Sequence, residues 1–173
     1  MKRLATLLIL ILFLLIHQYG LAQNPLPKSP CVTNPVYRQF DFWIGEWDVY
    51  GKNGKKAGDS RIERMLDSCI ILENWTSGAY SGKSYNTFNG TTQKWQQYWV
   101  DNAGGVTEYF DGHYEDGKMI FQTANVKQFD GKVKIMKMTF FNLGADKVRQ
   151  FGESSVDNGK TWTVDFDLEY RRK

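Results

Sequence analysis

From Gly45 onward the chain is a succession of short runs in which apolar and polar residues alternate. The runs are separated by turn-forming residues at nearly regular spacing: Asn53-Gly54, Asn89-Gly90, Asp101-Asn102 with Gly104-Gly105, Asp116-Gly117, Asp130-Gly131, Gly144-Ala145-Asp146 and Asn158-Gly159. Asn-Gly and Asp-Gly pairs accept the positive φ angles of tight hairpins. Strands are predicted near 45–51, 58–67, 69–77, 83–89, 94–101, 105–114, 117–127, 132–142, 147–156 and 161–171, about ten in all. Alternation is clearest in the last. There Trp162, Val164, Phe166, Leu168 and Tyr170 fall on one face, and Thr163, Asp165, Asp167, Glu169 and Arg171 on the other. Period two of this kind means one buried and one wet face. Consecutive hairpins make a meander, and a long meander escapes exposed edges by closing on itself. The expected fold is therefore all-β: an up-and-down antiparallel barrel over 45–173. An eight-stranded barrel is nearly filled by its own side chains, whereas about ten strands leave room for a small molecule.

The N-terminal part follows other rules. Lys2 and Arg3 precede an apolar run from Leu4 to Ile16, and Gly20-Leu21-Ala22 places small residues where a signal peptidase cuts. Residues 1–22 read as a signal peptide cleaved after Ala22. The run is shorter than the roughly 18 residues of a spanning helix, so no stable membrane span is expected in the mature protein. Export places the chain in a periplasmic or extracellular setting. Residues 23–44 form a proline-containing lead-in with a short helical turn near 36–43.

Composition narrows the function classes. Of the 173 residues, 22 are basic and 19 acidic; removal of Lys2 and Arg3 leaves a net charge of +1. That balance carries no footprint for nucleic acid. Aromatic residues make up 15% of the chain, more than packing alone usually demands, which hints at a lined interior. Cys31 and Cys69 both lie in the exported part, where an oxidising compartment permits a bridge; two free thiols are the alternative. The histidines are His17 and His113 only, and no His/Cys cluster has metal-ligand spacing, so neither a metal nor a cofactor is expected.

The most distinctive string is Phe40-Asp41-Phe42-Trp43-Ile44-Gly45-Glu46-Trp47-Asp48-Val49. Its glycine allows a sharp approach to the first strand, with Trp47 pointing in to plug one end of the barrel. The string resembles the signature of a family of uncharacterised, often exported bacterial proteins. That family is related in architecture to the calycins: lipocalins, fatty-acid-binding proteins and nitrobindins. The resemblance continues through Cys69-x-x-x-Glu73-x-Trp75, Gly82-x-Ser84, Trp95-x-Gln97-x-Trp99-Val100-Asp101, Arg149-Gln150 and Gly159-Lys160-Thr161-Trp162. It implies a calycin-like barrel and no particular activity. Two calycin functions lack their residues here. Haem binding of the nitrobindin kind needs a histidine near the C-terminal strands, and His113 sits beside the Asp116-Gly117 turn. A fatty-acid site needs Arg-x-Tyr in a late strand, and Arg149 is followed by Gln150-Phe151. Ser155-x-Asp157-x-Gly159-x-Thr161-Trp162 matches the Asp-box turn of sialidase-type propellers. A single copy transfers only the turn mechanics, with Asp157 capping and Trp162 packing beneath.

The candidate site is a polar-aromatic cluster. Glu73 and Trp75 share a strand face, as do Ser84 and Asn86, and Trp95, Gln97 and Trp99. Turned inward, they form a pocket of flat indoles with a few placed polar groups. Arg149 is a candidate partner for Glu73. Met136, Met138 and Phe140 share a face that reads as core packing. The leading expectation is an exported barrel that binds an apolar or aromatic small molecule with a polar handle. Trp75 and Trp99 would clamp it, while Glu73, Asn86 and Gln97 orient it. The alternatives are an isomerase, lyase or hydrolase using Glu73 as general acid or base, and a structural or protein-interaction domain.

Overall fold

A computed structural model describes residues 28–128 and 130–173. The signal-peptide reading of residues 1–22 lies outside the described residues, as does the start of the lead-in. The fold is all-β. Strands β1 (Gly45–Gly51), β2 (Lys56–Met65), β3 (Ile70–Ser77), β4 (Tyr80–Asn89), β5 (Lys94–Asp101), β6 (Val106–Glu115) and β7 (Lys118–Gln122) pair in sequence. The two-residue β8 (Val126–Lys127) pairs only with β9 (Val133–Asn142), which itself pairs with β7. Strands β10 (Lys147–Ser155) and β11 (Thr163–Arg172) complete the ring, because β9 pairs with β10, β10 with β11 and β11 with β1. The result is a closed ten-stranded antiparallel barrel with one extra strand.

The predicted strand at 117–127 is broken, because the chain leaves the barrel after Gln122 and returns as β8. The predicted alternation of the last strand also fails at its start. The β10–β11 register shifts between Gly152 and Glu153, so Gly152 faces Phe166 while Glu153 faces Val164. One extra residue, Asp165, is accommodated there, and the parity reverses before it. Phe166, Leu168 and Tyr170 therefore point in, whereas Val164 is half exposed.

The lead-in forms one α-helical turn, α1 (Pro30–Thr33), and two 3-10 turns at Pro35–Arg38 and Asp41–Trp43. Cys31 is disulfide-bonded to Cys69, and Arg38 donates to the Ser68 carbonyl at 2.8 Å. Both ties hold the lead-in against one end of the barrel. That end is closed by aromatic rings. Phe40, Trp43 and Trp47 are fully buried. Phe40 stacks on Trp43 at 5.0 Å between centroids and meets Trp95, Phe121 and Phe140. Trp47 donates its indole N–H to the Trp43 carbonyl at 2.9 Å. Trp47 does plug the barrel, as expected, but as one ring of a larger aromatic floor. The opposite end carries the β1–β2, β3–β4, β5–β6 and β10–β11 turns. In the last of these Asp157 accepts from the Thr161 amide and hydroxyl, and Trp162 donates to the Gly159 carbonyl, the expected Asp-box geometry.

Candidate ligand cavity

Above the floor the barrel is not filled. A cavity of about 380 Å³ lies between Glu73, Gln97, Gln150 and Tyr170 at its base and Trp75, Trp99, Tyr80 and Phe166 toward the mouth. Its walls are bare for a local reason. A Cβ at Gly58 would collide with the Trp75 ring, one at Gly82 with the Trp99 ring, and one at Gly152 with the Phe166 ring. Each glycine sits on the strand beside its ring and gives it a seat. The three rings lie back along the wall instead of projecting across the lumen. Replacing Gly82 with alanine is expected to push Trp99 into the cavity at a cost of about 1–3 kcal/mol. Binding of a neutral apolar fluorophore such as N-phenyl-1-naphthylamine should fall steeply in that variant while the circular dichroism of the barrel is retained.

Glu73 is the centre of the polar base and is 3% exposed. Ser60 on β2 donates to its Oε1 and Ser84 on β4 to its Oε2, each at 3.0 Å. Asn86 donates to the Ser84 hydroxyl and to the Ile71 carbonyl, both at 3.0 Å. Gln97 in turn donates to the Asn86 Oδ1 at 2.7 Å. On the other side the Tyr170 hydroxyl is 2.7 Å from the Gln150 Oε1 and 3.3 Å from the Glu73 Oε1. One phenol hydrogen cannot serve both acceptors. It goes to the nearer Gln150, which leaves a phenol lone pair facing Glu73.

Burial pushes the Glu73 carboxyl up to about 7, against the smaller downward pull of the Ser84 and Ser60 hydroxyls. A neutral Glu73 also fits the hydrogen bonds, because its own O–H can then donate to Tyr170. Burial raises Tyr170 well above its ordinary value, with Glu73 adding to it, and raises Tyr109 to about 12, with Asp165 adding to it. At the rim Tyr80 donates to Asp101 at 3.1 Å.

The eight expected binding residues divide into four groups. Glu73, Trp75, Gln97 and Trp99 border the cavity. Ser84 and Asn86 are fully buried behind them and act by holding Glu73 and Gln97. Trp95 belongs to the floor, where it packs on Phe40 and Phe88 and donates to Gln39. Arg149 lies outside the barrel: its neighbours Val148 and Gln150 point in, so it points out. There it forms a two-pronged pair with Asp167 and stacks on Phe141 and Phe151. It is not the partner of Glu73. Met136 and Met138 line the cavity, and only Phe140 packs in the floor. Tyr170 and Gln150 were not anticipated. Tyr170 was visible in the alternation of the last strand, but nothing in the sequence indicated that its hydroxyl would reach Glu73.

His113 is exposed beside the β6–β7 turn. Among the described residues no group of three or more His, Cys, Asp and Glu is placed to hold a metal ion. No helix among them is long and apolar enough to cross a membrane. Comparison with known protein families and with curated proteins finds no match.

Proposed function

We propose that this chain is an exported small-molecule-binding barrel of calycin-like build, working in the periplasm or outside the cell. Its ligand is an apolar or aromatic molecule with a polar handle. The observation that carries the reading is the unfilled half of the lumen. Apolar side chains surround it, a hydrogen-bonded carboxyl and two amides stand at its base, and its volume of about 380 Å³ lies within the roughly 300–1,000 Å³ usual for ligand pockets. Trp75 and Trp99 clamp the flat body, and Glu73 and Gln97 take the handle. The shelf behind them, Ser84 and Asn86, keeps both groups in place without touching the ligand.

Native mass spectrometry after incubation with a bacterial metabolite extract tests this. One retained small molecule per barrel is expected, with retention lost in Gly82→Ala and unchanged in Arg149→Ala. An empty barrel after exposure to the extract would contradict it.

One observation favours a second reading. A carboxyl that titrates near 7 and borders a cavity is suited to general acid or base work. An enzyme of this kind predicts that Glu73→Gln keeps ligand affinity and loses turnover.

A further inference from the structure

We infer that the handle is a positive charge: the cavity takes an organic cation, a flat apolar body bearing a protonated amine that docks on Glu73. This rests on the binding-barrel reading above and concerns which chemistry the same site selects.

The charge inventory of the lumen is one-sided. Among the described residues Glu73 is the only carboxyl on the cavity wall, and no Lys, Arg or His borders it. An anionic ligand would meet no countercharge there. The donors to Glu73 are neutral hydroxyls, from Ser60 and Ser84, and the Tyr170 hydrogen is turned toward Gln150. A buried carboxylate held by neutral donors alone lacks the opposite charge that would stabilise it. An ammonium group supplies that charge. The wall suits the same ligand, because the faces of Trp75, Trp99, Tyr109 and Phe166 attract cations through the ring quadrupole, tryptophan most strongly. The rim continues the pattern. Asp101 is held below its ordinary range by the Gly105 and Ala103 amides, and it has no cationic partner among the described residues. The shifted register leaves Asp165 near the lumen as well, where its charge acts on Tyr109; Lys134 is its nearest cation, at 3.7 Å.

A proton balance follows. Near pH 6 the free protein holds a proton on Glu73. When an already protonated amine binds, the Glu73 O–H bond breaks and that proton leaves to solvent. The complex is then an ammonium–carboxylate pair. The other titratable groups facing the lumen are Tyr170 on β11, Tyr109 on β6 and Tyr80 on β4, all raised above the ordinary phenol value, so they stay neutral. Asp101 at the rim, held below its ordinary value by the Gly105 and Ala103 amides, stays charged across this range.

Three indoles of matched shape separate the possibilities by calorimetry at pH 6: tryptamine, 3-ethylindole and indole-3-propionate. Tryptamine is expected to bind at least about ten-fold tighter than 3-ethylindole, with the carboxylate weakest. Binding heats measured in buffers of different ionisation enthalpy should show about one proton released per tryptamine. In Glu73→Gln the amine preference and the proton release both vanish, and 3-ethylindole still binds. If 3-ethylindole or the propionate binds as tightly as tryptamine, the cation inference falls and the cavity reading stands. The same holds if Glu73→Gln keeps the amine preference. If none of the three binds, both readings fall.

Discussion

Replacing Trp43 with alanine is expected to cost about 3–5 kcal/mol of stability, the range for removing a large aromatic from a closed core. The size follows from where the ring sits. Trp43 is fully buried, stacked on Phe40, 4.6 Å from the Phe140 centroid and 6.0 Å from that of Tyr170. The lead-in that carries it is pinned by the Cys31–Cys69 bridge, so the floor cannot readily collapse into the space. Trp43→Phe is the informative companion. The Trp43 indole N–H is buried without a hydrogen-bond partner, and such a group carries its own penalty of about 1–3 kcal/mol. Phenylalanine keeps much of the stacking and removes that penalty, so its loss should be far smaller than that of alanine. Equilibrium unfolding in urea separates the two variants. Because Trp43 also abuts Tyr170, the alanine variant should disturb the site as well as the floor.

The second large effect is a dependence of stability on pH. Glu73 rises from an ordinary value of 4.5 to about 7 on folding. Below about 4.5 both folded and unfolded chains hold the proton, and the contribution to stability is complete. As pH rises the unfolded chain ionises first, so the advantage drains until the folded carboxyl itself ionises near 7. Across that window about 3 kcal/mol should be lost, at 1.36 kcal/mol per pH unit. Asp59 and Asp157, both held down to about 2, act in the opposite direction but only at lower pH, where their native interactions are lost as they protonate. Glu73→Gln should flatten the profile between about 4.5 and 7. Denaturation midpoints measured at half-unit intervals would show it, and a wild-type profile that rises through this window would contradict the burial argument.

The barrel was legible because its signals are local. Hairpin turns announce themselves: both Asp116-Gly117 and Asn158-Gly159 adopt positive φ at each position. One reversal had no such mark, since Leu66, Asp67 and Ser68 all take positive φ without a glycine. Residue parity also carried far. Glu73, Trp75, Gln97 and Trp99 reach the cavity because period two holds along β3 and β5. Where a bulge interrupts the ladder, parity misleads, as at Val164. Parity for Arg149 needed its strand's register, which depends on pairing with β9 and β11 and is not written in its neighbours. Depth is a further property that alternation does not encode. Trp95 and Trp99 share a face, yet one is in the floor and the other at the mouth. The role of Gly82 also waited for three dimensions, since it exists only in relation to Trp99 on the adjacent strand.

The central claim is that Glu73, neutral in the free protein, receives the ligand's handle at the base of an open lumen. The most direct measurement is a carbon-detected NMR titration of its side-chain carboxyl, assigned by comparison with Glu73→Gln and recorded with and without tryptamine. The account predicts a midpoint near 7 in the free protein, displaced downward when the amine binds. A midpoint near the ordinary 4.5, unmoved by ligand, would contradict it.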